Sequence, residues 1–285
     1  KLDDYNPYVY KTEDYGNTWC SLTESYPEGQ ISRVIREDPS QPGLLYVGTE
    51  TGLMISPDDG VSWQRFTSNL PIVPIYDMTI KDDDLVIATH GRGFWILDDL
   101  TPLREMTGGW SQAHLCKPRP TCRRWINWTG DWFEGKGKHY MVSLGGNVTF
   151  REETTPEGEK IRHILDGGEN PPQGVILFYY LKDGDGVNAQ ADVSLTILDT
   201  DGREIRTYVP RPEKDENVKN HERYLTVKAG LNRFVWDMRH PGAVAVADDK
   251  DANMTKTGPI ATTGTYMARL RVGDQNLEQS FEIVK

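Results

Sequence analysis

Long apolar runs are missing from this sequence. The longest, Val175 to Leu181, has the length of a strand and falls far short of the roughly 20 residues with which a helix spans a bilayer. No membrane span is expected. Concentrated positive charge is missing too. Lys and Arg number 32 against 43 Asp and Glu, the net charge is −11, and the basic residues are scattered. Phosphate binding needs a basic face, so nucleic acid is not an expected partner. Cysteine is scarce. Cys20, Cys116 and Cys122 cannot make a disulfide framework, although Cys116 and Cys122 could close one loop or remain thiols. No Cys/His spacing matches a zinc site. The residues from Lys1 onward carry no leader-peptide pattern and read directly as Tyr-rich strand.

Turn formers and aromatics, in contrast, are abundant: 27 Gly, 17 Pro, 8 Trp and 13 Tyr. That combination points to an all-β chain, and the length of 285 residues to about two domains. The strongest signal is a repeat. Thr12-Glu13-Asp14-Tyr15-Gly16-Asn17-Thr18-Trp19 and Ser56-Pro57-Asp58-Asp59-Gly60-Val61-Ser62-Trp63 share the pattern S/T-x-D-x-G-x-S/T-W, with their aspartates 44 positions apart. A period of that size fits four strands per unit, as in a propeller blade. The chemistry of the octamer is local. Asp14 or Asp58 accepts backbone N–H bonds, Gly16 or Gly60 supplies the turn, Thr12/Thr18 or Ser56/Ser62 bond within it, and Trp19 or Trp63 starts the next strand and is expected to be buried.

Between the octamers the pattern predicts strands at Ile31–Arg36, Leu44–Gly48, Leu53–Ser56 and Ser62–Phe66. A second unit follows at Ile75–Ile80, Leu85–Ala88 and Gly93–Leu97, with a shorter fourth strand near Leu103. Val47, Ile55, Ile75, Met78 and Ile87 are expected to form interfaces between units, open to solvent where a unit lacks a neighbour. Leu44-Leu45-Tyr46-Val47-Gly48-Thr49, Gly52-Leu53 and the octamer together resemble one blade of the Asp-box (BNR, sortilin-like) β-propeller family. Ala88-Thr89-His90-Gly91-Arg92-Gly93-Phe94-Trp95-Ile96-Leu97-Asp98-Asp99 is similar to a closing blade of its large bacterial members. The resemblance covers residues 8 to 106. It implies about two and a half blades, whereas closed propellers have about 4–8, and repeat units cannot bury their faces alone. The expectation is therefore a C-terminal piece of a larger protein, its remaining blades supplied by the same protein or by another subunit. The resemblance also implies a secreted, periplasmic or cell-surface location.

Residues 107–173 read as a Gly/Pro-rich, mostly irregular connector. Trp110, Trp125, Trp128 and Trp132 lie in it, as either a sugar-stacking platform or packing between domains, and one hairpin is expected at Tyr140–Phe150 and Lys160–Leu165. Residues 174–285 show regularly spaced strands, as in a β-sandwich. Those strands are Val175–Lys182, Val193–Leu198, Ile205–Tyr208, Tyr224–Val227, Asn232–Met238, Gly264–Val272 and Gln279–Val284, with an Asp-Gly hairpin turn at Asp199–Gly202. Phe178, Leu195, Ile197, Phe234, Trp236, Tyr266 and Leu270 are expected inside. Ala229–Arg239 with Thr263–Leu270 resembles the flagellar hook-capping type of Ig-like domain, which implies a structural or adhesive role.

Candidate chemistry is sparse. A glycoside hydrolase needs two carboxylates at a set separation. Glu50, Asp77 and Asp98 are the candidates, but no sialidase-type arginine triad can be matched. His90 and Arg92, in a Gly-rich loop where Gly91 and Gly93 are expected at positive φ, read either as an anion- or sugar-binding pair or as an arginine locked to a neighbouring carboxylate. No catalytic residue is assigned and no cofactor is expected. Calcium has only weak candidates, because Asp183 and Asp185 form half of an EF-hand pattern without its bidentate Glu, and Asp248, Asp249 and Asp251 form a separate acidic cluster. Asn127, Asn147 and Asn253 stand in glycosylation sequons. The leading expectation is a non-catalytic protein- or glycan-binding part of a larger extracytoplasmic protein. The rival is part of a secreted sialidase- or xyloglucanase-like glycoside hydrolase whose catalytic blades lie elsewhere.

Overall fold

A computed structural model describes residues 3–123, 137–143, 146–154, 160–164, 171–182, 192–210, 224–242 and 257–285. The chain is all-β. Among the described residues the one α-helix is α1 (Thr101–Glu105), continued by a 3-10 turn, and no helix is long and apolar enough to cross a membrane. The chain divides into two units, Lys1–Gly109 and Trp110–Lys285.

The first unit holds three antiparallel sheets. Strands β1 (Tyr10–Lys11) and β2 (Cys20–Ser21) form a two-stranded sheet across the first octamer. Strands β3 (Ser32–Glu37), β4 (Leu45–Thr49), β5 (Leu53–Ser56) and β6 (Gln64–Phe66) follow in sequence order, with the second octamer between β5 and β6. Strands β7 (Ile75–Lys81), β8 (Asp84–Thr89) and β9 (Phe94–Leu97) repeat the first three of these. The expected fourth strand near Leu103 is instead α1. Pro102 lies in its first turn, where a proline costs no backbone hydrogen bond and presets the helical φ.

The registers of the two larger sheets coincide. Ile35 faces Val47 and Met78 faces Ile87, and each sheet carries an irregularity at the same place, Arg33 in one and Tyr76 in the other. The β3–β6 sheet is covered on both faces, which explains why β4 and β5 read as continuous apolar runs. Leu45, Val47, Met54 and Trp63 pack with Val9, Leu22 and Tyr26 on one side. Leu44, Tyr46, Leu53 and Ile55 pack with Ile75, Met78, Leu85, Ile87 and Leu100 on the other. Gly48 permits the second approach, since a Cβ there would meet Ile75 Cγ2 at 2.6 Å. Val47, Ile55, Ile75, Met78 and Ile87 are thus interface residues, but all are buried. The exposed face belongs to their neighbours on β9, as described below.

The second unit encloses its own core between two sheets. One has the order β10-β15-β18, from β10 (His114–Leu115), β15 (Val175–Leu181) and β18 (Gly230–Trp236). The other runs β11-β22-β21-β16-β17, from β11 (Thr121–Cys122), β16 (Val193–Leu198), β17 (Glu204–Tyr208), β21 (Gly264–Val272) and β22 (Gln275–Val284). Leu195, Ile197, Phe234, Trp236, Tyr266 and Leu270 lie in the shared core as expected, and Trp236, Tyr266 and Phe281 cluster with ring centroids 5.7–5.9 Å apart. Phe178 does not. On β15 the inward residues are Val175, Leu177, Tyr179 and Leu181. Strand side chains alternate, and Phe178 sits on the other phase. The turn Asp199–Gly202 forms as expected, with Asp199 Oδ1 accepting from Asp201 N at 2.9 Å and Arg203 N at 2.8 Å.

Three further departures concern the stretch before and within this unit. Residues 107–173 are less irregular than their composition suggests. They contain β10 and β11, which belong to the two sheets above. They also hold a three-stranded meander of β12 (Gly137–Ser143), β13 (Gly146–Thr154) and β14 (Lys160–Ile164). The expected strand at Tyr224–Val227 is reduced to a single bridge between Leu225 and Pro210. A short pair, β19 (Arg239–Pro241) and β20 (Thr257–Ile260), was not foreseen. Cys116 lies beside β15 and Cys122 beside β22, in different sheets, and no disulfide joins them.

Candidate functional site

The two octamers fold into the same hydrogen-bonded turn. In the first, Thr12 Oγ1 donates to Asp14 Oδ1 at 2.9 Å and accepts from Gly16 N at 2.8 Å, while Asp14 accepts from Thr18 N at 2.8 Å and Thr18 Oγ1 at 2.7 Å. In the second, Ser56 Oγ donates to Asp58 Oδ1 and accepts from Gly60 N, both at 2.8 Å. Asp58 in turn accepts from Ser62 N at 2.8 Å and Ser62 Oγ at 2.5 Å. Gly16 and Gly60 have φ of 93° and 88°. The bonds from Thr18 hold the Asp14 carboxyl below its ordinary range. At Asp58, burial pushes the carboxyl up, but the bonds from Ser62 and Ser56 prevail and it too is lowered. Both aspartates are consumed by the turn, so neither is available as a catalytic acid.

The tryptophans that end the octamers part company. Trp63 is 7 % exposed, donates from Nε1 to the Leu22 carbonyl at 2.8 Å, and meets Tyr26 edge-on at 5.3 Å. Trp19, expected to be buried, is 61 % exposed, and its Nε1 donates back into its own turn, to Gly16 O at 3.1 Å. The reason is what each ring faces. Trp63 lies on the chain segment that follows the preceding octamer. Among the described residues no such segment lies over Trp19.

Of the three candidate carboxylates, Glu50 and Asp77 are paired with arginines. Glu50 pairs with Arg33, whose guanidinium also lies 4.8 Å from the centre of the Tyr76 ring. Asp77 accepts from Arg36 Nη2 at 2.6 Å, and Arg36 Nε donates to the Met78 carbonyl at 2.8 Å. Asp98 is exposed just beyond β9. His90 stacks on Tyr76 at 5.0 Å with its ring 17° from parallel, so Glu50, Arg33, Tyr76 and His90 form a row. Arg92 is exposed and makes no ion pair among the described residues. Carboxylate pairs that reach across neighbouring elements are made instead by Arg36 and Arg104. Gly91 and Gly93 have the positive φ expected of them, 82° and 69°.

Arg104 was not foreseen. It reaches from α1 to Asp38, at 3.0 Å to each oxygen from Nε, and to Asp83 Oδ1 at 2.5 Å. Asp38 is buried and also accepts from the Tyr46 hydroxyl at 3.1 Å. Burial, then the Asp38 charge, push the Tyr46 phenol far above its ordinary value. The signal in the sequence was the break Asp38-Pro39-Ser40, which reads as a turn but gives no hint of a partner 66 residues away.

The first unit also carries two uncovered surfaces. On β9, Phe94 is 79 % and Ile96 57 % exposed. Their counterparts on β5, Leu53 and Ile55, are 0 % and 7 % exposed beneath the next sheet. At the other end, a cleft of about 520 Å³ opens between β1 and the β3–β6 sheet, lined by Tyr10, Leu22, Ile35 and Leu45 with Lys11 and Asp59 at its lip. Lys11 bonds Asp59 and Glu13, which raises its pKa well above the ordinary lysine value.

Trp125, Trp128 and Trp132, the calcium candidates Asp183, Asp185, Asp248, Asp249 and Asp251, and the sequons at Asn127 and Asn253 lie outside the described residues. So does the side chain of Asn147.

No family model matches the chain, and no curated protein matches it. Among solved structures it is similar to the extracellular domain of a B. thetaiotaomicron protein described as a one-component system, at 11 % identity and a TM-score of 0.26. The match covers 99 % of this chain and 34 % of the other, so this chain spans about a third of that length.

Proposed function

We propose that the chain is part of an Asp-box β-propeller followed by an Ig-like β-sandwich, and that it serves as a non-catalytic, protein- or glycan-binding scaffold in a larger extracytoplasmic protein. One observation carries the reading. The 44-residue repeat stacks sheets face on face, with β3–β6 covered on both sides, while the next-facing side of β9, Phe94 and Ile96, stands bare. Exposed apolar faces of this kind mark interaction surfaces. The repeat defines the shape of what belongs there: another sheet of the same kind, from the same protein or from another subunit. The identical octamer turns support the Asp-box assignment, and the resemblance to that family supports a location outside the cytoplasm.

The carboxylates best placed for glycoside hydrolysis, Glu50 and Asp77, are paired with Arg33 and Arg36. This favours a structural role for them. The test is turnover of a sialoside or a β-glucan by the purified chain. No turnover above background is expected. Turnover lost in Glu50→Gln or Asp77→Asn would replace this reading with that of a secreted glycoside hydrolase.

A further inference from the structure

Ile35 and Met78 occupy the same place in successive repeats, each facing the corresponding residue of the next strand, Val47 and Ile87. Met78 is 2 % exposed beneath the β3–β6 sheet, in the cluster that contains Tyr46 and Leu44. Ile35 is 41 % exposed and forms a wall of the cleft beside β1. The difference lies in the sheet opposite. Met78 faces a sheet of four strands. Ile35 faces the sheet of β1 and β2, which correspond to β5 and β6, and no described strand stands where β3 and β4 would be. The cleft occupies that place.

The backbone of β1 is arranged to receive a strand there. Val9 O accepts from Leu22 N at 2.9 Å, and Tyr10 is opposite Ser21. In an antiparallel ladder bonded and non-bonded pairs alternate. Val9 and Lys11 therefore turn their N–H and C=O toward β2, and Tyr10 turns its own toward the free edge and the cleft. In the complete sheet the counterpart of Tyr10 is Met54, which faces Val47 of β4.

We propose that this cleft is a strand-acceptor groove. Its occupant is the second strand of the preceding unit of the same Asp-box repeat, pairing antiparallel with Tyr10 and seating alternate apolar side chains over Ile35 and Leu45, as Leu44 and Tyr46 of β4 seat over the following sheet. The proposal rests on the repeat-stacking reading above and assigns it a specific edge, register and side-chain pattern. The groove continues an interface already formed, since Leu45, at its floor, belongs to the cluster of Val9, Val47, Met54 and Trp63. Main-chain bonds supply affinity in such an addition, and the alternate side chains supply specificity.

The test uses the full 285-residue chain and a synthetic peptide of the β4 sequence, Gly-Leu-Leu-Tyr-Val-Gly-Thr-Glu, flanked by lysines for solubility and labelled for fluorescence polarisation. Saturable one-site binding is expected. It should weaken at least tenfold in Ile35→Asp, which changes a half-exposed wall residue. It should weaken similarly when the peptide is N-methylated at its valine, which removes the bond to Tyr10 and leaves the protein untouched. Tyr10→Pro, which deletes the outward N–H without touching the ladder to β2, should do the same if circular dichroism shows it folded. Absence of saturable binding, or binding indifferent to both Ile35→Asp and N-methylation, overturns the proposal. So does a chain whose self-association is broken by Ile35→Asp and not by the peptide, because the occupant would then be a second copy. The reading of the opposite flank is tested at Phe94 and Ile96, so the two can fail separately.

Discussion

Trp63 Nε1 donates to the carbonyl of Leu22, 41 residues earlier, at 2.8 Å, and the two residues close the interface between the first and second sheets. A bond this long in sequence joins one repeat to the one before it, and it separates Trp63 from Trp19, which has no such partner among the described residues. Trp63→Ala should destabilise the first unit by about 3–5 kcal/mol, the usual cost of deleting a buried large aromatic. Trp19→Ala should stay within about 0.5 kcal/mol, as for most surface substitutions. Urea denaturation of both variants checks the contrast, and equal costs would contradict it.

Gly60 is held by two independent constraints. Its φ is 88°, and a Cβ there would meet Leu22 Cδ1 at 2.8 Å. Gly91 has a similar φ of 82° with nothing within 4 Å of its Cβ position. Gly91→Ala should therefore cost about 1–2 kcal/mol from the left-handed backbone alone, and Gly60→Ala measurably more. Denaturation midpoints of the two variants, side by side, decide it.

Arg104→Ala should cost about 3–5 kcal/mol, because it strands the buried Asp38 carboxylate without its cation. Arg104→Ala combined with Asp38→Asn should recover much of the loss, and Tyr46→Phe should cost only about 1 kcal/mol. A double-mutant cycle measured by chemical denaturation reads the coupling directly.

Asp14 and Asp58 both have folded-state pKa values lowered by their turn bonds. Groups of this kind stabilise the fold fully above their unfolded pKa, about 3.9, and the stabilisation is lost as pH falls through the lower folded value. The chain should therefore lose stability below about pH 4. Asp58→Asn should be less stable than wild type at pH 7 and should lose less on acidification. Thermal unfolding across pH 2.5 to 7 is the check, the pH range being set by that unfolded pKa.

Much of this was legible in the sequence, for reasons that depend on range. The octamer turns were readable because Thr12, Asp14, Gly16 and Thr18 satisfy one another within a single turn, as their counterparts in the second octamer do. Strands β3 to β5 and β7 to β9 were readable within one or two residues from apolar pattern and turn signals. The burial of Trp19 was not readable, because it depends on what packs against the turn. Nor was the phase of β15, whose sequence Val-Ile-Leu-Phe-Tyr-Tyr-Leu is apolar at almost every position, so that Phe178 and Leu177 look alike. The arginine clamps were invisible for a third reason. Arg36 finds Asp77 41 positions away and Arg104 finds Asp38 66 positions away, and only the stacking of the sheets brings them together. The uncovered cleft beside β1 emerged only when Ile35 could be compared with Met78 in space.

Phe94 and Ile96 leave an apolar face of the first unit bare, and the proposed stacking of repeats requires a cover for it. Multi-angle light scattering behind size-exclusion chromatography, on the full chain at several concentrations, tests it most directly. Concentration-dependent association of the wild type, or co-elution with a partner bearing the same repeat, is expected, and a monomer when Phe94 and Ile96 are both changed to Lys. A wild-type chain that elutes at every concentration as a single monodisperse monomer with nothing bound would contradict it.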